Sequence, residues 1–496
     1  MTESDVITAI NTLRKYKSET NIIEAKTASI DFPKRCYDTF SSFSNKYGGI
    51  IIFGLSEKND FKTEGVYDVK DLQERITDLC SDSMEPAIRA DILLMEFENK
   101  NILAVKIDEL PINKKPCYYK PKGLKNGSYT RIGDRDELMT DYEIYALQSY
   151  NDGIQEDLRP TKRSSLEDLD SDSLSAYVQK VKSIKTNFAK NTDEKILKLS
   201  GIIDNTDGNI YPTLSGTMIF GEYPQAYYPQ LFVACAVIPG TELGETGELG
   251  QRFDDNKRVE GTIEQMLEGT LNFLRKNMKT RIVIDSSTGK RKNITEYPML
   301  ALREAVANAL IHRDYSLQTT NAYIQVYMYD DRIVIQNPGA LYGINKLEKL
   351  GTDTIMESRN ATIVRILEEK GSVIENRHSG IPTMRREMQN NGLPLPEFIE
   401  ERGSFKVIFR NSKVSDSLLQ SDTQSDTQKL INNELISKLI DYCKTPKSAQ
   451  EIRDFLHISS KRYVAYKIIK PLILLGKLDY TNKNRINAKN QKYISR

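Results

Sequence analysis

The chain reads as an α/β protein of several domains, α+β in overall arrangement, and three observations predict this. Its 496 residues exceed what one domain ordinarily holds, at about 100–200 residues each. Strand-like apolar runs and helical stretches alternate along the sequence, with no all-helical or all-strand region. Charge is also unevenly spread. Lys+Arg 70 against Asp+Glu 69 gives +1, yet Thr427–Arg496 holds 15 Lys/Arg against 5 Asp/Glu, so that tail carries +10 and the remainder −9. A basic terminal module on an acidic body points to a polyanion-binding appendage.

Residues 1–150 are expected to form the first domain. The run from Glu19 to Lys26 reads as a strand with Ile23 inward and Glu24 and Lys26 on the opposite face. A helix over Pro33–Tyr47, the pair Gly48-Gly49, a buried strand Ile50–Phe53, and strands over Ile102–Ile107 and Gly127–Gly133 follow. Pro111–Arg131 carries Lys114, Lys115, Lys120, Lys122, Lys125 and Arg131 with no acidic residue, interleaved with Tyr118, Tyr119 and Tyr129. Cations that neutralise phosphates beside rings that stack on bases suit single-stranded nucleic acid, and Lys26 is assigned to the same surface.

Residues 151–290 read as a polar linker (Asn151–Ser175) and an α/β bridging region. There a helix precedes two apolar strands, Leu214–Gly221 and Leu231–Gly240, and Glu260–Lys276 is an amphipathic helix. This region is expected to be structural.

Residues 291–412 centre on Tyr297–Tyr315. At helical period, Leu300, Ala307, Leu310 and Ile311 fall near one stripe, while Glu304, Asn308 and His312 recur at i, i+4, i+8 along a neighbouring one. A carboxamide oxygen is a hard ligand for Mg²⁺, and a carboxylate one turn away can polarise a water. Alternating strands Tyr323–Tyr329 and Arg332–Gln336 end in the turn Asn337-Pro338-Gly339. A long polar loop leads to Arg359-Asn360, a helix Ala361–Lys370, and the segment from Arg377 to Pro382, in which Ser379-Gly380 feeds a helix N-terminus suited to phosphate.

A tandem SDTQ repeat within 413–428 is too polar to bury a core and reads as a flexible linker. In 429–496 a helix Lys429–Lys444 precedes a second, Ser448–Leu456, capped by Ser448 with Glu451 at capping-box spacing. A third helix, Ser460–Leu475, exposes Lys461, Arg462 and Lys467, and the basic end suggests a wing. This is a winged-helix pattern whose second paired helix would enter a major groove.

The order E-x-x-x-N, HRDY, NPG, R-N, S-G-I and GLPLPEF resembles the Bergerat-type ATP-binding sandwich of the gyrase, histidine-kinase and MutL class, in the version found in bacterial RecG-like proteins and transcriptional regulators. The resemblance implies ATP with Mg²⁺ as cofactor, Asn308 as the Mg²⁺ ligand and Glu304 as the water activator. It puts Asn337 and Gly339 at the adenine-side turn, Ser379 and Gly380 at the phosphate side, and His312, Arg359 and Asn360 among the nucleotide-binding residues. Most of the wider class has Asp where this chain has Asn337. Over the first 150 residues, E-x-x-x-x-E-x-K, FSN-x-x-GG-x-I-x-x-G and Y-x-R-x-G resemble the AlbA-like domain of the Schlafen superfamily. That resemblance implies nucleic-acid binding, and in some members RNA cleavage by a carboxylate trio. Glu19 and Glu24 match the first two positions, and Glu57 or Asp60 stands near the third.

The five cysteines form no C-x-x-C pair and, with three histidines, no zinc spacing. No run of about 18 apolar residues exists to span a bilayer, and no basic-then-apolar leader opens the chain. A cytoplasmic protein is expected, with a nucleic-acid partner, DNA before RNA, no membrane, and homo-oligomeric assembly. The expected function is an ATP-binding, nucleic-acid-binding regulator with nucleotide-gated conformation. The rival is a Schlafen-like metal-dependent ribonuclease of antiviral defence. No G-x-x-x-x-G-K-[ST] loop occurs, which argues against a motor helicase.

Overall fold

The computed structural model describes residues 1–284, 291–371, 379–411, 439, 441–455, 469, 478–481 and 492–495. It divides into two units, Met1–Phe409 and Arg410–Arg496. Helices and several separate sheets make the chain a multidomain α+β protein.

The first unit opens on the helix Glu3–Tyr16, capped reciprocally by Thr2 and Asp5. A four-stranded sheet follows in the order Ile23–Lys26, Gly49–Phe53, Lys100–Ile107, Ala90–Phe97, with its first pair parallel and the others antiparallel. A parallel step needs a crossover, supplied by the helix Cys36–Asn45, whose residues are buried apart from Tyr37. The glycine pair follows from packing. A Cβ on Gly49 would lie 2.5 Å from the Phe43 ring, and Gly48 holds φ +66° with Ile107 O 2.8 Å from where its Cβ would stand. Asn45 then ties the helix to the segments beyond the sheet. Its Nδ2 donates to Cys117 O (2.8 Å) and Tyr129 O (2.9 Å), and its Oδ1 accepts from Cys117 N.

The larger core lies around a six-stranded sheet in the order Asp255–Val259, Val233–Val237, Ile324–Met328, Arg332–Pro338, Ser404–Arg410, Glu397–Glu401. The first two of these strands come from the region expected to be a bridge. The boundary expected at 290/291 therefore runs through one sheet, and that bridging assignment is corrected: residues 233–259 complete the fold that holds the cleft. Ile324, Val326, Met328, Ile333 and Ile335 are buried, as strand alternation predicts. Leu214–Phe220, expected as a strand, is a helix. All seven of its residues are buried, so the apolar run carries no periodicity to separate strand from helix. The deciding signal is local: Thr213 Oγ1 accepts the Gly216 N–H at 3.0 Å, an N-cap.

The helix Met299–His312 packs against the helices Ile263–Asn277 and Gly380–Asn390. Ala307, Leu310 and Ile311 are buried, but Leu300 is 44% exposed and lines the cleft described below. After the helix, the HRDY motif closes its end. The buried Arg313 guanidinium donates to Thr319 O (3.2 Å) and Ala322 O (3.0 Å), and Tyr315 Oη donates to Leu310 O at 2.7 Å.

The second unit has a three-stranded sheet in the order Lys447–Ser448, Lys492–Ser495, Leu478–Tyr480. Beside it are the helix Ala449–Phe455 and a small core of Leu439, Cys443, Ile452, Ile469 and Leu478. Ser448 and Glu451 form the expected capping box: Glu451 N donates to Ser448 Oγ (3.2 Å) and Ser448 N to Glu451 Oε2 (2.8 Å). The expected linker, the helix Ser460–Leu475 and its Lys461, Arg462 and Lys467 lie outside the described residues, except Ile469. No helix among the described residues is long and apolar enough to cross a membrane.

The buried helix gives a direct test. A Cβ on Gly216 would stand 2.1 Å from Ile202 O. Gly216→Ala should therefore destabilise the protein by about 1–3 kcal/mol, read as a lower urea midpoint. An unchanged midpoint would contradict a helix seated against Ile202.

Candidate functional site

A cleft of about 760 Å³ opens beside the helix Met299–His312, within the range usual for nucleotide-sized ligands. Of the residues predicted to bind nucleotide, Glu304, Asn308, His312, Asn337, Gly339, Arg359, Ser379 and Gly380 all line it. The helical spacing of the first three achieves this because residues four apart stack on one face.

The two ends of the cleft differ in chemistry. At one, the helix Gly380–Asn390 begins against the Glu304–Asn308 pair. A Cβ on Gly380 would lie 3.0 Å from Glu304 Oε2 and 3.1 Å from Asn308 Nδ2, so the absent side chain leaves this helix start open beside both groups. Backbone N–H groups at a helix start favour an anion, and Arg303 and Arg386 also line the cleft. The other end is apolar, with Ile335, Phe398, Phe405 and Val407 in its wall and the two phenylalanine rings stacked at 6.3 Å. Here Asn337, 7% exposed, keeps its Oδ1 without a hydrogen-bond partner. Buried acceptors are rarely left so, and a half-turn of the amide would present it to a donor on a ligand. An orphaned acceptor in an apolar pocket at one end and a helix start beside a carboxamide at the other fit an adenine nucleotide.

Arg359 and Gly339 have further roles. Arg359 Nη1 pairs with Asp314 at 2.6 Å, and its Nη2 donates to Ala340 O at 2.7 Å. Asp314 Oδ2 also accepts from Tyr142 Oη at 2.7 Å, and Oδ1 from Ser316 N at 2.8 Å. Burial alone would raise the Asp314 carboxyl, but the Arg359 charge and these donors outweigh it and hold it below the ordinary carboxylate range. Gly339 has φ +112° and no room for a Cβ, which would meet Asp314 Cβ at 2.8 Å. The space that the missing side chain of Gly339 leaves is thus taken by the protein's own Asp314. Asn360 is a correction. It is fully buried, its Nδ2 donates to Ile311 O (2.7 Å) and Arg313 O (2.8 Å), and it does not line the cleft.

Sequence reasoning passed over three residues here. Asp314 lies inside HRDY but showed no role. Tyr142 stands 172 residues from its partner, a separation that no local pattern encodes. Asp157 accepts from Thr362 N and Ile363 N (2.8 and 3.3 Å), capping the helix that follows Asn360 from a distant segment.

In the N-terminal region, Glu24 and Lys26 share one face of their strand, as alternation predicts, and on that face Glu24 is buried. It pairs with Lys26 and with Arg131 Nη2 (2.7 Å), and Arg131 Nη1 reaches Asp136 at 2.8 Å. The Glu19 carboxyl lies beside Glu24. Burial, then the hydrogen bond and charge of Glu24, push it up to about 9, so Glu19 holds a proton at neutral pH. Among the described residues no group of three or more His, Cys, Asp and Glu could hold a metal ion. Glu57 is exposed, and Asp60 pairs with Lys17 at 3.3 Å. Two members of the predicted basic patch are also internal. Arg131 is 1% exposed, and Lys115 is buried against Glu109 at 2.7 Å. Lys114, Lys120, Lys122 and Lys125 are exposed, and Tyr118 is half-buried. Lys122 lies over the Tyr37 ring, which stacks on Tyr119.

Comparison with known proteins agrees with two of these segments. Residues 19–140 match the family described as Schlafen, AlbA_2, and residues 321–409 the one described as "Putative ATP-dependent DNA helicase recG C-terminal". The second match covers the strands Ile324–Met328 and Arg332–Pro338 but begins after the Glu304–Asn308 helix. Residues 145–234 match a domain of unknown function, DUF8451. Among solved structures, the DIP2311 protein of Corynebacterium diphtheriae is 15% identical over 99% of this chain and 96% of its own, with a TM-score of 0.37. The N-terminal domain of a RecG-related protein from Nitrosomonas europaea is 27% identical over 27% of this chain and 92% of its own, with a TM-score of 0.22. No curated protein matches.

The Glu19 proton has a consequence for stability. In the folded protein the carboxyl is raised from its ordinary value of 4.5 to about 9, so between those pH values the folded state holds a proton that the unfolded chain has released. Stability therefore falls as pH rises through that window. Glu19→Gln should remove the slope, leaving the variant near wild type at pH 4.5 and more stable at pH 8 in urea titrations. A wild type that outlasts the variant at pH 8 would mean Glu19 is ionised when folded.

Proposed function

We propose that this protein is an ATP-binding, nucleic-acid-binding regulator in which the nucleotide cleft and the Schlafen-like segment are mechanically joined. One observation carries this reading: the loop 340–359 lines the cleft with Leu341, Tyr342, Asn345 and Met356, and is bonded on its other side to the N-terminal region. Lys346 pairs with Glu109 at 2.8 Å, Tyr150 Oη donates to Glu357 at 3.1 Å, and Tyr142 sits between Asp314 and the loop, accepting from Ala340 N at 3.4 Å. Glu109 in turn holds Lys115 within the basic tyrosine-bearing stretch.

In this reading the Asn308 carboxamide would hold the Mg²⁺ that accompanies ATP, and Glu304 is the residue on which any slow ATPase activity rests. Bound ATP supplies a base at the Asn337 end and a charged triphosphate at the Gly380 end. The loop 340–359 settles against it, and the N-terminal bonds carry that change to Lys114, Lys120, Lys122 and Lys125. DNA is the first partner to test, with RNA second. The winged-helix reading of 429–496 supplies a second nucleic-acid contact through Lys461, Arg462 and Lys467. The chain is expected to act in the cytoplasm as a homo-oligomer.

Titration of labelled DNA and RNA against the apo, ADP and non-hydrolysable ATP forms tests the coupling. Wild type should change its nucleic-acid affinity about 5-fold or more between states, the scale of ordinary coupling energies. Asn308→Ala should lose Mg-ATP binding and the change together. Tyr142→Phe should keep ATP binding and lose the change. Equal affinity in every nucleotide state would end the regulatory account.

A further inference from the structure

We infer that the base end of the cleft accepts a 6-oxo purine as readily as a 6-amino purine, so that its ligands are not confined to adenine nucleotides. This rests on the reading of the cleft as a nucleotide site and goes beyond it in naming what the base contact can distinguish.

The apolar wall of Ile335, Phe398, Phe405 and Val407 holds a ring by contact and shape, which carry no information about a 6-substituent. Asn337 supplies the polar group at this end: buried, lining the cleft and with Oδ1 lacking a partner. The carboxylate packed behind the turn, Asp314, is committed to Arg359, Tyr142 and Ser316, and so is not available to read a base.

A carboxylate in the position of Asn337 could only accept. It would bond an adenine 6-amino group and repel a 6-oxo group. A carboxamide has an oxygen on one side and an NH₂ on the other, and its terminal torsion is broad and roughly two-fold. With Oδ1 inward it accepts from a 6-amino group, and turned over it donates to a 6-oxo group. In either orientation the amide atom that faces the base is paired and its counterpart lies behind it, so the unpaired contact at the base from which strong discrimination between such ligands arises occurs with neither.

Affinities of wild type and Asn337→Asp for ATP, inosine triphosphate and GTP, each with Mg²⁺, decide the matter by calorimetry or by competition against a fluorescent ATP analogue. In wild type, inosine triphosphate should bind within about tenfold of ATP, and in Asn337→Asp it should weaken relative to ATP by roughly thirtyfold, the scale of one unsatisfied buried group. GTP rejected while inosine triphosphate is accepted also supports the inference, because the two differ only in the 2-amino group. ATP binding with inosine triphosphate more than tenfold weaker in wild type overturns it and leaves the nucleotide reading standing. No binding of any of the three overturns both. Should Asn337→Asp fail to fold, as judged by its melting curve, the wild-type ratio alone decides.

Discussion

The buried pair of Asp314 and Arg359 is the constraint on which the cleft depends. Asp314 comes two residues after the helix Met299–His312, and Arg359 stands one residue before Asn360, which immediately precedes the helix Ala361–Lys370. Their contact at 2.6 Å fixes where the long loop returns to the sheet. The same carboxylate bonds Tyr142, Asp314 N donates to Pro338 O at 2.9 Å, and Gly339 must lack a Cβ because Asp314 fills its place. A single carboxylate therefore aligns the helix bearing Glu304 and Asn308 with the turn bearing Asn337. Taking one partner from such a pair leaves a charge in low dielectric, a loss of roughly 3–5 kcal/mol. The HRDY motif is thereby accounted for by architecture: Asp314 ties, Tyr315 bonds the helix carbonyl of Leu310, Arg313 holds the carbonyls of Thr319 and Ala322 in the segment that follows, and His312 alone of the four lines the cleft.

What could be read from the sequence follows from how local each signal is. The Glu304, Asn308 and His312 stripe was legible because helical period converts spacing into a common face. The strands ending at Asn337 were legible because alternation does the same for a sheet. Leu214–Phe220 was not, since a stretch buried on every side has lost its period. Arg131 and Lys115 were read as surface cations because composition reports charge without reporting partners; Glu24, Asp136 and Glu109 bury them. Asn360 looked like a ligand residue because it adjoins Arg359, but its amide satisfies two carbonyls at the end of the site helix. Tyr142 and Asp157 act across separations of 172 and 205 residues, which only the fold can supply.

The N-terminal acidic pair bears on the two enzymatic ideas. A nuclease centre needs carboxylates open to a divalent ion, ionised and unshared. Glu24 here neutralises Lys26 and Arg131, and Glu19 carries a proton toward it. Removing either cation would leave buried Glu24 with one of its two counter-charges, so the network accounts for the E-x-x-x-x-E-x-K spacing as a way to hold a strand edge against Arg131. The exposed lysines nearby need no such network, and they keep the electrostatic part of nucleic-acid binding separate from any chemistry.

Magnitudes also say by which route the cleft and the N-terminal region communicate in the proposed function. Driving a two-state equilibrium from mostly one form to mostly the other takes about 5.5 kcal/mol of differential affinity. The Lys346–Glu109 pair is half exposed on the lysine side, and such pairs contribute about 0–1 kcal/mol. The Tyr142 hydroxyl bonds a buried, charge-paired carboxylate that also fixes the base-side turn, and hydrogen bonds to charged groups contribute roughly 1.5–3 kcal/mol. In the proposed function, ligand-driven movement of the loop that strains Asp314 therefore reaches the helix Asp141–Asn151 through Tyr142 with several times the leverage available at Lys346. The surface pair then steers where the loop comes to rest, and the buried carboxylate decides whether the N-terminal region moves at all.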